Sequence, residues 1–530
     1  MAETLISPGV LARENDISFI APAPTVAGAA IIGPTVKGPV EVPTLVTSYG
    51  EYQRVFGTTF TSGSAKREFL TSLAVKSYFG NGGNSALITR VVAGSFTGAG
   101  DTGITAQSGS VPFTIETLGK GALLNSNGSL NGDGSLVNGN SDNLRYEISN
   151  INNNQGTFTL SVRRGDDNTK GKIVLESFND LSLDPNSENY IESVVGNQSI
   201  SKTTDGDGSV YVSTTGEYVN RSKYIRISGV SRQTLDYIGN DGLISNVNLS
   251  GSLPAAQSGS FQNATGAITT TGNFFGDINN TDTQGLGAAT GYADAISILG
   301  NKDEYVFNIV SAPGLIYEFG NHKTQLDSII SLAETRGDAI AVVDTQNYGA
   351  TVSNVTGTAG NINSSYTATY WPWLRIQDPE TSKNVWVPAS TMIGGVYAHT
   401  DKVSAPWFAP AGINRGGLGS VLRAKNKLSQ ANRDELYANN INPIATFPSE
   451  GIVIFGQKTL QEKPSALDRI NVRRLVIFLK KQISILSTQI LFEQNVQATW
   501  NRFKGLIEPF LANVKVQFGI TDYRLILDES

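Results

Sequence analysis

The chain has 530 residues and a formal net charge of -6, with only 16% Asp, Glu, Lys and Arg but 56 glycines; ordinary soluble chains carry about a quarter charged residues and about 7% glycine. With no cysteine and two histidines, His322 and His399, it can build neither a disulfide scaffold, a thiolate metal centre nor a three-histidine zinc site, and it has no thiol nucleophile. The composition is not that of a nucleic-acid binder. No run approaches the ~20 apolar residues that span a bilayer, and the first residues lack a secretory pattern, which fits a soluble protein made in a reducing cytoplasm.

After a start punctuated by Pro8, Gly9, Pro22 and Pro24, the apolar run 26–33 is bounded by turn residues and is predicted to be a buried strand. Ser64 to Phe79 is predicted to be helical from the spacing of Phe69, Leu70, Leu73, Ala74 and Phe79, with Gly80-Asn81-Gly82-Gly83 as its stop. Ala86 to Val92 follows as a strand. From Gly94 to Gln284 the composition turns to Gly, Ser, Thr and Asn, with short alternating runs at 157–162, 172–176, 210–213 and 224–228. These predict one or two all-β lobes inserted into an α/β unit. The stretch holds 11 Lys and Arg against 19 Asp and Glu, so it is acidic and solvated.

Beyond Gln284 the α/β pattern resumes. A strand at 305–310, a helix at 326–335 and a strand at 339–344 make a βαβ unit, which favours parallel pairing. Val472, Val476, Leu479, Ile483, Leu486 and Ile490 then form an apolar stripe at spacings of four and three. Arg473, Arg474, Lys480 and Lys481 form a basic band beside it, Glu493 interrupts the stripe, and two strands, 514–518 and 523–527, are expected to close the chain. From Arg415 onward there are 16 Lys and Arg against 10 Asp and Glu. The expected fold is thus a mixed α/β core split by an inserted all-β region and followed by a helix-and-strand domain. The boundaries are 1–20 for an N-terminal arm, 21–93 plus 285–415 for the core, 94–284 for the outer lobe and 416–530 for the C-terminal domain.

Chemistry finds little support. A hydrolase would draw on Ser311, His322 and Asp344, but Ser311 sits in Val-Ser-Ala-Pro-Gly without a nucleophile elbow, and His322 lies in a polar stretch expected to be a solvated loop. Asp205-Gly206-Asp207-Gly208 lacks the further ligands of a calcium loop and is better read as a turn. The glycine clusters at 80–83 and 415–419 complete no phosphate-binding motif. Sequons at Asn127, Asn197, Asn248 and Asn263 follow from composition. The segment Tyr370 to Ile376 could place Trp371, Trp373 and Arg375 on one side of an extended chain as a stacking surface, although core or interface packing is the plainer reading. No catalytic, metal or cofactor residue is assigned.

Several segments together resemble the tail sheath protein of contractile bacteriophages. They are Ser7-Pro8-Gly9-Val10, the run Gly28 to Gly33, Lys37-Gly38-Pro39, Ser48 to Tyr52, Phe56-Gly57, Phe79 to Gly83 and Arg90-Val91-Val92. The most specific part joins Tyr370 to Pro379, including Trp371, Pro372 and Trp373, to Val387-Pro388, Gly394 to Tyr397, Thr400-Asp401 and Ala409 to Gly412. Arg473-Arg474-Leu475, Phe492-Glu493-Gln494-Asn495 and Thr499-Trp500 complete it. The resemblance covers roughly residues 5–93 and 300–528 and does not extend to the insertion between them.

The resemblance implies a non-enzymatic structural subunit. Six-fold rings stack around a rigid tail tube, store energy in an extended state and contract to drive the tube through the host envelope. The implied partners are other copies of the chain, the tube protein, and baseplate and terminator proteins, with no nucleic acid, no membrane insertion and no cofactor. The implied location is the virion, after assembly in the bacterial cytoplasm. Subunits in such a lattice are joined by β-augmentation, for which Ser7, Pro8, Gly9 and Val10 belong to the candidate arm. Arg473, Arg474, Lys480 and Lys481 are expected to face an acidic tube, where exposed charge pairs are individually weak and reversible. Sheath proteins usually continue for several dozen residues past the segment matching Asp522 to Asp528, ending in a linking strand. Truncation is therefore expected, with a monomer or short oligomers in solution. The alternatives are a sheath subunit of a phage-derived injection particle and, in a different class, a subtilisin-like hydrolase; a secreted adhesin would suit the lobe but not the βαβ unit.

Overall fold

A computed structural model describes residues 25–527 apart from 27, 63–64, 240–242, 245–246, 269–275, 277 and 290. The expected arm at 1–20, with Ser7, Pro8, Gly9 and Val10, lies outside the described residues. Among the described residues the α-helices are α1 (Tyr49–Phe56), α2 (Leu70–Gly80), α3 (Ile191–Val195), α4 (Tyr292–Ile298), α5 (Gly320–Arg336), α6 (Val352–Ala359), α7 (Ser390–Val403), α8 (Gln430–Ala438), α9 (Ile470–Ser487) and α10 (Gln497–Val516).

An eight-stranded sheet forms the centre, in the order Gly451–Ile454, Asn442–Phe447, Thr367–Trp371, Ile340–Asp344, Ile309–Ile316, Ala29–Gly33, Ala86–Arg90 and Thr44–Val46. Its interior pairings are parallel and its two outermost ones antiparallel. Side chains alternate across a strand, so a parallel sheet covered on both faces needs apolar residues at every position. Ala29-Ala30-Ile31-Ile32 meets that demand: Ala29 and Ile31 join the core beneath α2 and α7, while Ala30 and Ile32 join the core beneath α4 and α5. The predicted βαβ unit is present as Ile309–Ile316, α5 and Ile340–Asp344 with parallel register. The sheet draws strands from both sides of the acidic stretch. It also extends past residue 415 to include Asn442–Phe447 and Gly451–Ile454, so the expected C-terminal boundary at 416 falls inside the core.

The acidic stretch folds mainly as a seven-stranded antiparallel sheet over its own core, which includes Phe113, Tyr146, Phe158, Leu160 and Phe261. A hairpin, Ser199–Thr204 with Val210–Thr215, leaves that sheet and lies against α4. Lys202 Nζ there reaches Glu41 at 2.6 Å and Asp294 at 2.5 Å. The Asp205 to Gly208 segment is the turn of this hairpin, closed by Gly208 N–H to the Asp205 carbonyl at 3.0 Å.

Three expectations change. Residues 65–68 are a strand paired with Thr59–Ser62, and α2 starts only at Leu70, because Phe69 is extended and stacks on Phe60 at 4.6 Å. The chain end carries no strand at 514–518 or 523–527. Ile507, Leu511 and Val514 recur at spacings of four and three, and α10 buries them as one face. His322 is in α5 and fully buried, so it is not a solvated loop residue.

Candidate assembly surface

The C-terminal region is anchored to the core through α9. Its buried residues are Ile470, Arg473, Arg474, Leu475 and Ile477, whereas Val472, Val476, Leu479, Ile483, Leu486 and Ile490 are only half-buried. The basic band expected to face outward therefore faces inward at its first half. Arg473 donates from Nε to the Ser365 carbonyl at 3.1 Å and from Nη2 to the Ser365 hydroxyl, with its guanidinium 4.0 Å from the Tyr366 ring centroid. Arg474 donates from Nη2 to both Asp401 oxygens and lies 4.8 Å from the Tyr397 ring centroid. Planar, weakly hydrated guanidinium groups are suited to such burial, where stacking and fixed acceptors replace water.

Arg473 and Arg474 are thus corrected from surface grips to internal ties, with about 5% of each residue exposed. Lys481 is half-buried and donates to Asn308 Oδ1 at 3.3 Å; burial holds its ammonium below the usual lysine range. Of the four, Lys480 alone is exposed. A cleft of about 410 Å³ opens beneath α9, lined by Tyr78, Asp401, Lys402, Arg474, Phe478 and Lys481 among others.

The turn between α9 and α10 brings the remaining C-terminal motif residues together. Trp500 Nε1 donates to Asn495 Oδ1 at 2.6 Å, and Glu493 lies 3.5 Å from Arg502 across exposed surface. A small core of Ala405, Trp407, Leu475 and Val514, with Phe478 and Phe510 beside it, holds the two helices to the end of α7. Among this region's exposed residues are several large apolar ones. Phe492 is 99% exposed and Phe518 87%, and Ile485, Leu491, Val496, Val516 and Ile526 are exposed as well. Apart from Ile485 they fall at two places, Leu491, Phe492 and Val496 at the turn before α10 and Val516, Phe518 and Ile526 at and beyond its end, which the ~30 Å length of α10 separates. The apolar stripe from Val472 to Ile490 and the basic band beside it do not mark these residues; the local signal for them is Leu491-Phe492, two large apolar residues in a turn.

The aromatic segment is core. Trp371 ends its strand in the central sheet and packs with the α4 and α5 side, whereas Trp373, beyond Pro372, packs with the α2 and α7 side and donates from Nε1 to the Gln346 carbonyl at 2.9 Å. Alternation does not carry through Pro372, because the chain passes there from the eight-stranded sheet to a three-stranded one, Lys383–Val387, Leu374–Asp378 and Val421–Ala424.

No hydrolase triad assembles from the three candidates. Asp344 accepts from Ser390 N–H at 3.0 Å and Ser390 Oγ at 2.5 Å, at the start of α7, and burial raises its carboxyl to about 6. His322 Nδ1 accepts from Ile316 N–H at 3.3 Å, and burial lowers the imidazole to about 4. Among the described residues no group of three or more His, Asp and Glu could hold a metal ion, and no helix is long and apolar enough to cross a membrane.

The chain is thus an α/β core interrupted by a β lobe and ending in a helix pair that leaves several large apolar side chains exposed. Residues 287–460, about a third of the chain, match the family described as the phage tail sheath protein central domain. It is 39% identical over 188 residues to the tail sheath protein of Vibrio phage KVP40, covering 36% of this chain and 27% of that protein. It is 36% identical over 202 residues to the tail sheath protein of Enterobacteria phage T4, covering 38% and 30%. The aligned stretches therefore span less than a third of these relatives. Among solved structures, the sheath tail protein of Listeria innocua has the same fold, with a TM-score of 0.54 at 9% identity over 94% of this chain and 87% of that one.

Proposed function

We propose that the chain is a structural subunit of a contractile phage tail sheath. The observation that supports this reading, beside the match to the sheath central domain, is the set of large apolar side chains left exposed at the α9–α10 turn, Leu491, Phe492 and Val496, and at the end of α10, Val516 and Phe518. A monomer gains nothing by leaving Phe492 and Phe518 in water; a lattice subunit buries such surface in its neighbours. In this reading copies of the chain stack as six-fold rings around a tail tube, and the sheath holds energy in its extended form and releases it by contraction. No catalytic step is assigned, in keeping with the separate partners of Asp344 and His322.

Residues 1–20 are proposed as the linking arm and the β lobe at 94–284 as the outer, solvated surface. The tube-facing element is proposed to be the α9–α10 pair with Lys480 and its apolar neighbours, in place of Arg473 and Arg474. Baseplate and terminator proteins complete the partner set, in a virion assembled in the bacterial cytoplasm. A sheath of a phage-derived injection particle would use the same surface.

The test is co-expression with the cognate tube protein, followed by electron microscopy. Tubes ensheathed by the wild-type chain and bare tubes with Phe492→Asp plus Phe518→Asp support the reading. Equal sheathing by the double variant refutes the assigned surface, and absence of any wild-type association with tube or with itself refutes the sheath role.

A further inference from the structure

The cleft beneath α9 is lined by more positive charge than negative. It measures about 410 Å³, and Asp401 is the one carboxylate among the lining residues, against Lys402, Arg474 and Lys481. Arg474 Nη2 is engaged with both Asp401 oxygens, so those two charges cancel. Lys402, on α7, is exposed and makes no ion pair among the described residues. Lys481, on α9, donates only to the Asn308 amide oxygen at 3.3 Å; the nearby Asp338 is itself paired with Arg336 at 2.8 Å. Tyr78, Ile477 and Phe478 supply apolar lining. Glycine lets these side chains lie close on the backbone. A Cβ at Gly82, where φ is +103°, would strike the Lys402 stem, and one at Gly28 or Gly83 would strike Tyr78.

The described chain begins beside this cleft. Thr25–Val26 pairs with Tyr305–Val306, and Gly28, itself a lining residue, donates to the Ser85 carbonyl at 3.0 Å and accepts from Asn308 N–H at 3.3 Å. Upstream of Thr25, outside the described residues, the sequence reads Glu14-Asn15-Asp16-Ile17-Ser18-Phe19-Ile20. Two carboxylates followed by three large apolar side chains complement two unpaired ammonium groups beside apolar lining. Thr25 lies within ~11 Å of Gly28, and the stretch from Asp16 to Thr25 reaches up to ~30 Å when extended, enough to turn back through Pro22 and Pro24 to the cleft.

We propose that in the free chain residues 14–20 fold back into this cleft, with Glu14 and Asp16 against Lys402 and Lys481 and with Ile17 and Phe19 against Tyr78 and Phe478. Tethering selects the chain's own segment over a neighbour's. A short flexible link holds it at an effective concentration of about millimolar, where exposed charge pairs that are individually weak suffice. This contact concerns the free chain and does not rest on the sheath reading; in a sheath subunit it withholds the proposed arm until a neighbour takes it.

The experiment uses the full chain at micromolar concentration, as a mixture of unlabelled and isotope-labelled protein. A zero-length carbodiimide joins a carboxylate to an amine in contact with it. It should link Glu14 or Asp16 to Lys402 or Lys481 within one chain, read by mass spectrometry of the digest. Arg13 borders the segment, so an arginine-specific protease should release residues 1–13 about fivefold faster from Lys402→Glu than from wild type, because cleavage follows the population of the open form. Adding Asp16→Lys to Lys402→Glu should restore the slow rate. Links that join only chains of different label, or none to the two lysines, overturn the proposal, and so do equal cleavage rates in wild type and Lys402→Glu. If Lys402→Glu does not fold, the wild-type cross-link decides it.

Discussion

Arg474 Nη2 reaches both carboxylate oxygens of Asp401, at 2.8 and 2.6 Å, and so fastens the first half of α9 to α7. Arg474 is buried, while the Asp401 side chain is 30% exposed. The tie therefore holds the C-terminal helices in position without itself being open to a partner.

Arg474→Gln should destabilise attachment of α9, leaving the Asp401 charge half-buried and unpaired. Full burial would put the loss at about 3–5 kcal/mol, and the partial exposure of Asp401 lowers our expectation to ~2 kcal/mol. Thermal unfolding and faster proteolysis within 470–527 would register it. Arg474→Lys should recover only part of the loss, since an ammonium can neither lie flat against Tyr397 nor fork the guanidinium's way.

Phe492→Asp and Phe518→Asp should leave the melting temperature of the isolated chain nearly unchanged, because surface changes of this kind usually stay within about 0.5 kcal/mol. The same variants should lose co-sedimentation with tube protein. A large drop in melting temperature would mean that these side chains support the fold itself.

His322 predicts acid sensitivity. Its folded imidazole titrates near 4 against 6.5 when unfolded, so the unfolded chain binds the extra proton first. The contribution is intact above pH 6.5 and is lost as pH falls toward 4, amounting to about 3 kcal/mol at ~1.4 kcal/mol per pKa unit. Asp344, raised to about 6, has the opposite sign and partly offsets the decline as pH falls from 6 toward its ordinary 3.8. Comparing urea unfolding of wild type and His322→Gln from pH 7 to 4 isolates the histidine: the difference between them should change across that interval.

Lys202→Met should free the hairpin 199–215 from Glu41 and Asp294 while leaving global stability within about 1 kcal/mol, since the ion pairs are part-exposed. Val210 and Val212 still pack against the core. Hydrogen exchange should therefore rise in 199–204 more than in 210–215.

Much of the fold was legible because its signals are local. Ala29 to Gly33 is apolar at every position, as a parallel strand covered on both faces must be, and the runs at 157–162 and 224–228 alternate as strands of a two-faced lobe do. The chain end was misread because Val514 to Phe518 is too short a window; the helix becomes visible only when Ile507 and Leu511 are counted with Val514. His322 was misplaced because polar neighbours at 321 and 323 hide a helix whose inner face is set by Leu326, Ile329 and Ile330.

By itself the sequence determined the split α/β plan, the acidic lobe and the basic C-terminal third, since strand and helix periods and net charge are properties of neighbouring residues. Only the tertiary structure decided what those charges do. Arg473 and Arg474 look like any exposed basic pair until Ser365, Tyr366, Tyr397 and Asp401, all distant in sequence, are folded around them. Burial is a property of what the rest of the chain brings near, and it turned half of the expected contact surface into an internal clasp and left Phe492 and Phe518 on the outside.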